Sequence, residues 1–239
     1  MKSERPGQTL LLIHGLGATG RVWDGWRDLL DTHWPGRWMA PDLPGHGSAP
    51  PLSSYSFDSM AAAVAPQLPP GGLVVVGHSL GGVIALALAS GRYGVQVDRA
   101  IALGVKVAWS DGELAKAAAL AERPTAWFDT RAEAAARFLR VSGLEGLVEP
   151  DDDQVEHGLS SDGGRWRLAM DPRTFGVGAP DMAGLLRASQ AETVLARGEL
   201  DPMNTDAQLN ALHDEVVTFA GLGHNAHVED PRTVHLTVT

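Results

Sequence analysis

Residues 73–89, "LVVVGHSLGGVIALALA", leave few folds open. Four apolar residues run into a turn flanked by glycines, with Ser79 at its tip. A second apolar run of helical length follows at once. A strand and a helix that are both apolar on every side must both be covered, and covered strands of this kind belong to parallel sheets with helices on both faces. The rest of the chain keeps the same rhythm. Strand-like runs "TLLLIHG" (9–15), "RWMAPD" (37–42), "GLVVVGH" (72–78), "RAIALG" (99–104), "ETVLARG" (192–198) and "EVVTFAG" (215–221) alternate with amphipathic or apolar stretches at 22–33, 57–68, 81–91 and 205–213. Such alternation predicts a doubly wound α/β fold.

Residues 105–191 break that rhythm. They show little strand signal and several amphipathic stretches, such as 111–123 and 131–143. The expected organisation is a core made of 1–104 and 192–239, with 105–191 as a helical insertion. No Gly/Ser linker flanks the insertion, so it should pack on the core. The chain of 239 residues is long enough for one such domain.

Composition narrows the partners. There are no cysteines, which excludes disulfides, thiol catalysis and zinc–thiolate sites and fits a cytoplasmic protein. A net charge of −10 argues against nucleic acid or an anionic membrane surface. No apolar run approaches the ~18 residues of a membrane span, and "MKSERPGQ" is too short and polar for a secretory signal. A small-molecule substrate is the expected partner. Oligomeric state is not legible.

The spacing Gly77-His78-Ser79-Leu80-Gly81 is G-x-S-x-G. A bare match is common and can be only a tight turn. Between a buried strand and a buried helix it reads as the mount of a nucleophile, with the helix N-terminus aimed at developing negative charge. A serine hydroxyl needs a base, and the base needs an acid to orient it. Nine histidines are available. His224, after the last strand in "AGLGHNAHVEDP" (220–231), is favoured over His227, while His78 reads as structural and directed elsewhere. For the acid, Asp201 in "ARGELDPM" (196–203) is favoured over Glu199, because it stands at the loop tip before Pro202. Strand ends are where open α/β sheets build sites. Oxyanion donors are expected from Leu80 N–H and from Leu16 N–H in the turn after the first strand.

These motifs resemble the α/β-hydrolase family: "HGLGATG" (14–20), "DLPGHGSA" (42–49), "GHSLGG" (77–82), "GELDPM" (198–203) and "GLGHNAHVEDP" (221–231) occur in family order. The resemblance implies a serine hydrolase of carboxylesterase type. Its nucleophile elbow would carry Ser79, its catalytic triad would add Asp201 and His224, and its oxyanion hole would use Leu16 and Leu80. It implies no metal or organic cofactor, and it places a lid at 105–191. The family's first two strands have no sequence to form them here, so the expected sheet is trimmed to about six strands, mostly parallel. For the same reason, with about fifteen residues after His224, the last helix should be short or absent. "GHNAHVE" also resembles the last motif of a menaquinone-pathway lyase that uses the same triad and binds an anionic substrate through arginines. The insertion offers Arg123, Arg131, Arg137, Arg140, Arg165, Arg167 and Arg173 for such a role. Aromatic residues Trp109, Trp127, Phe128 and Phe138 could instead line an apolar acyl pocket. A third reading is a ligand-binding protein that kept the fold without the chemistry.

Overall fold

In the computed structural model, which describes residues 8–237, the strands are β1 (Thr9–Ile13), β2 (Arg37–Met39), β3 (Gly72–His78), β4 (Gln96–Leu103), β5 (Leu159–Asp162), β6 (Arg165–Leu168), β7 (Glu192–Gly198) and β8 (Val216–Phe219). Six of them form one sheet, in the order β2-β1-β3-β4-β7-β8, and every pairing in it is parallel. The expectations about residues 1–7, a leader and two further strands, lie outside the described residues.

Helices cover the sheet. They are α1 (Arg27–His33), α2 (Phe57–Val64), α3 (Leu80–Ala89), α4 (Asp111–Ala121), α5 (Arg131–Ser142), α6 (Asp153–His157), α7 (Met182–Ala188), α8 (Asp206–Asn210), α9 (Ala226–Glu229) and α10 (Pro231–His235). Alternate strand residues face opposite ways, as a pleat requires. Leu10, Leu12, Val74, Val76, Ile101, Leu103 and Val194 meet Trp23, Trp26, Leu30 and the α5 residues Ala135 and Phe138. Leu11, Ile13, Leu73, Val75, Ala100, Ala102 and Leu195 meet α2, α3, Met182 of α7 and Leu209 of α8. All ten residues of α3 are buried, which is why its sequence is apolar all round.

The segment between β4 and β7 packs on the core, as the missing linker predicted. Part of α5 sits in the same apolar cluster as α1. His157 Nε2 lies 2.9 Å from Asp42 Oδ2, and Gly47 N–H donates to Ala169 O at 2.7 Å. Burial alone would raise the Asp42 carboxyl. N–H groups of Ser48 and Gly20, together with His157, outweigh it and hold the pKa at about 2.

Two local details differ from the sequence reading. The segment between β4 and β7 is not purely helical: β5 and β6 pair antiparallel across Gly163 and Gly164, whose φ values are 56° and 80°. Two positive φ angles are what a two-residue hairpin turn demands. The stretch 22–33 is not one helix but a 3-10 helix, Gly20–Trp26, followed by α1. Helix starts at α4, α5 and α8 are fixed by capping boxes, Ser110 with Glu113, Thr130 with Glu133 and Thr205 with Gln208. The helices α9 and α10 are short, with four and five residues.

Candidate active site

Ser79 follows the last residue of β3 and precedes the first residue of α3. Its φ is 50° and its ψ −114°, and it is the one non-glycine residue with positive φ among the described residues. Such strain persists only where neighbours over-determine it, and it recurs at functional sites. Here Ser79 N–H donates to Leu103 O at 2.8 Å, and Gly82 N–H donates to Ser79 O at 3.0 Å. The flanking glycines have no room for a side chain. A Cβ on Gly77 would lie 2.1 Å from Gly81 O, and one on Gly81 would lie 2.3 Å from Ile13 O. The turn is therefore wedged between its own helix and the end of β1.

The turn after β1 is built from His14. Its Nε2 accepts from Leu43 N–H at 2.8 Å, so its Nδ1–H donates to Gly15 O at 2.8 Å. Burial holds the His14 pKa at about 4, so the ring is neutral and serves as a fixed strut. Leu16 follows in this turn, which is closed by Ala18 N–H to Gly15 O at 3.2 Å. Leu80 opens α3, so its N–H has no acceptor inside the helix.

Asp201 and His224 come together. His224 Nδ1 lies 3.1 Å from Asp201 Oδ2, and the Asp201 side chain is fully buried. The other oxygen, Oδ1, accepts Met203 N–H at 2.9 Å. Buried Arg197 ties the loop from beneath: Nη2 donates to Glu199 O at 2.8 Å and Asp201 O at 3.0 Å, and Nη1 pairs with Asp206 at 2.7 Å. Glu199 is exposed, and its carboxylate accepts Gly221 N–H at 2.8 Å, away from His224. The imidazole of His224 lies against Gly104, the residue after Leu103: a Cβ there would be 3.3 Å from His224 Cε1. No hydrogen bond joins the Ser79 hydroxyl to His224 in this structure.

His227 faces inward. It is fully buried against Trp23, with ring centroids 4.4 Å apart, and neither ring nitrogen has a partner among the described residues. Burial, with His224 nearby, holds its pKa at about 3. His78 reaches the loop of His224, with Nε2 donating to His224 O at 2.9 Å. Sequence reasoning missed Arg197 and His14, because most of their bonds go to backbone groups.

A cavity of about 520 Å³ opens over Ser79. Its floor is Leu16, Ser79, Leu80, Val83 and Val105. Leu114, Ala117 and Leu120 of α4 form one wall, and residues 175–180 and Phe57 complete it. Trp109, Lys106, Glu113 and Lys116 supply its polar part. Trp127, Phe128 and Phe138 are not among the lining residues, and none of the seven arginines weighed for anion binding is either. A larger cavity of about 810 Å³, lined by Arg21, His157, Arg167 and Arg173, contains none of Ser79, Asp201 and His224, whereas the smaller one is lined by Ser79 but by neither Asp201 nor His224. We place the candidate site in the smaller one on chemical grounds. No group of three or more potential ligands for a metal ion occurs among the described residues. No helix among them is long and apolar enough to cross a membrane.

The chain belongs to the α/β-hydrolase family, whose sequence pattern matches residues 10–235. It is 34% identical over 170 residues to lipase LipV of Mycobacterium tuberculosis, a match covering 67% of this chain and 62% of LipV. It is 43% identical over 79 residues to a pimeloyl-[acyl-carrier protein] methyl ester esterase of Neisseria meningitidis, covering 33% of this chain and 24% of that enzyme. Both matches thus span less than two thirds of the relative's own length. In three dimensions the chain is similar to E-2-(acetamidomethylene)succinate hydrolase, with a TM-score of 0.80, 20% identity, and coverage of 98% of this chain and 90% of that one. That likeness speaks for the fold.

Proposed function

We propose that the protein is a serine hydrolase that cleaves carboxylic esters, thioesters or lactones with an apolar acyl part. The observation that carries this reading is the Asp201–His224 hydrogen bond, held beside the strained Ser79 turn at the floor of a largely apolar cavity. In the proposed mechanism His224 Nε2 takes the Ser79 proton as Ser79 Oγ attacks the carbonyl carbon. Leu16 and Leu80 N–H groups hold the oxyanion, aided by the N-terminus of α3. Asp201 fixes Nδ1 as the protonated nitrogen and stabilises the imidazolium. His224 then protonates the leaving group, and water, activated by the same base, releases the acid and restores Ser79. The link between Ser79 and His224 is expected to close when substrate fills the site, since such bonds are often long in the free enzyme.

The segment between β4 and β7 acts as the lid in this reading, with α4 and residues 172–180 as its working part. Lipase and esterase relatives support the chemistry, and the apolar wall of α4 supports the acyl preference. A lyase acting on a multiply anionic substrate is disfavoured, because the cavity has no arginine.

A fluorophosphonate probe should label Ser79 of the native protein and not of Ser79→Ala, and 4-nitrophenyl esters of increasing chain length should be hydrolysed with kcat/KM rising from acetate to longer acyl groups. A protein that stays unlabelled would be a ligand-binding member of the family instead. The acid can be tested separately. Asp201→Asn keeps the shape and loses the charge that sets the His224 tautomer, and the comparable change in a serine protease costs ~10⁴-fold in kcat. Glu199→Gln should stay within a few-fold of native, because that carboxylate caps the β8 turn. Steady-state kcat for the two variants decides between them, and the reverse ranking would move the acid to Glu199.

A further inference from the structure

We propose that His78 is a positioning residue that locks the loop of the base onto the nucleophile turn and the oxyanion turn together. The inference rests on the roles given above to Ser79 and His224, and adds a fourth side chain to them. His78 is the last residue of β3, adjacent to Ser79, and is 3% exposed. Its Nε2–H donates to the His224 carbonyl at 2.9 Å, across a separation of 146 residues. The opposite edge of the ring lies on the oxyanion turn: a Cβ on Gly15 would be 2.8 Å from His78 Nδ1 and 3.4 Å from Ser79 Cβ. One imidazole thus meets three loops that must keep their spacing within a fraction of an ångström.

The ring is held in turn. Its centroid is 4.7 Å from that of His224 and 4.3 Å from that of His227. His227 rests on Trp23, and Trp26 Nε1–H donates to the His227 carbonyl at 2.8 Å. These tilted ring contacts hold the plane in which Nε2 points at the His224 carbonyl. Burial, reinforced by His227 and His224, holds the His78 pKa well below 6.5, so the ring is neutral. A neutral donor does not oppose the charge that His224 acquires when it takes a proton. A leucine could fill the volume but would leave the carbonyl without its donor. A glutamine can carry an N–H to nearly the place of Nε2, whereas an asparagine stops near Nδ1.

The test compares His78→Gln, His78→Asn and His78→Leu, each checked for folding by thermal melting. His78→Gln should keep kcat within about threefold of native, while His78→Asn and His78→Leu should lose about 30-fold in kcat with KM within about twofold, the scale expected of a small misplacement. Equal kcat for the Gln and Asn variants, or a loss carried by KM alone, would overturn the proposal, and this comparison survives if the leucine variant does not fold. A second readout does not need turnover. The downfield proton NMR signal of His224 Nδ1–H, shared with Asp201, should stay sharp in His78→Gln and broaden or vanish in His78→Asn. If it is sharp in both, the positioning role is wrong whether or not esters are cleaved. If it behaves as expected while no ester is cleaved, the role stands and the hydrolase reading fails.

Discussion

Ser79→Ala is expected to lower kcat for ester hydrolysis by about 10⁶-fold, the scale seen when a serine hydrolase loses its nucleophile. The rest of the site stays in place, so the residual rate should reflect binding and the oxyanion donors alone. Folding should not suffer. The hydroxyl has no hydrogen bond among the described residues, and the backbone is held by Leu103 O and by the end of β1. The melting temperature should therefore equal or slightly exceed that of the native protein, in keeping with the trade between activity and stability at such positions. Two measurements on one preparation, kcat and thermal melting, check both halves. Retention of more than a few per cent of activity would rule out the covalent mechanism.

His224→Ala should cost activity on the same scale, and Ser79→Ala combined with His224→Ala should cost little more than either, because the two act as a unit. Additive losses would mean that they act in separate steps. His227→Ala provides the contrast. His227 is fully buried, and its removal leaves a hole beside Trp23. We expect it to destabilise the fold by about 2 kcal/mol, at the lower end for a large core deletion because an unpaired polar ring is also removed. Its kcat should fall far less than that of His224→Ala. Urea unfolding and steady-state kinetics separate the two residues: one should move activity at nearly constant stability, the other stability at more nearly constant activity.

Much of this arrangement is legible from sequence. The six strands of the main sheet were readable because each is an apolar run, and period two then fixes which residues go to which face. Ser79 was readable because only a few residue patterns fit between a buried strand and a buried helix. The meeting of Asp201 and His224 was readable from the loops they occupy, while their catalytic roles belong to the proposed function. The limits are also physical. The β5–β6 hairpin was missed because its strands are four residues each and polar at three of the first four positions, although the Gly163-Gly164 pair is itself a turn signal. The start of the 20–33 stretch winds as a 3-10 helix, a distinction that hydrophobic spacing does not make. His78, Arg197 and His14 were illegible for a different reason. Apart from the Arg197–Asp206 ion pair, their bonds go to backbone carbonyls and amides, which leave no trace in the identities of the partner residues.

The packing of α4 has an evolutionary consequence. None of its residues is buried, and its chief neighbour is the 3-10 helix Pro172–Val177. It thus shapes the space over Ser79 while contributing little to the core that keeps the chain folded. Residues 72–89 are in the opposite position: nearly every side chain there is enclosed, and change is penalised by packing. Selection can therefore alter the wall of the cavity, residue by residue, without drawing on the stability reserve that protects the Ser79 turn. On the proposed function, substrate preference and catalytic machinery would sit on separately mutable parts of one chain, so that a lineage could acquire new acyl groups while its chemistry stands still.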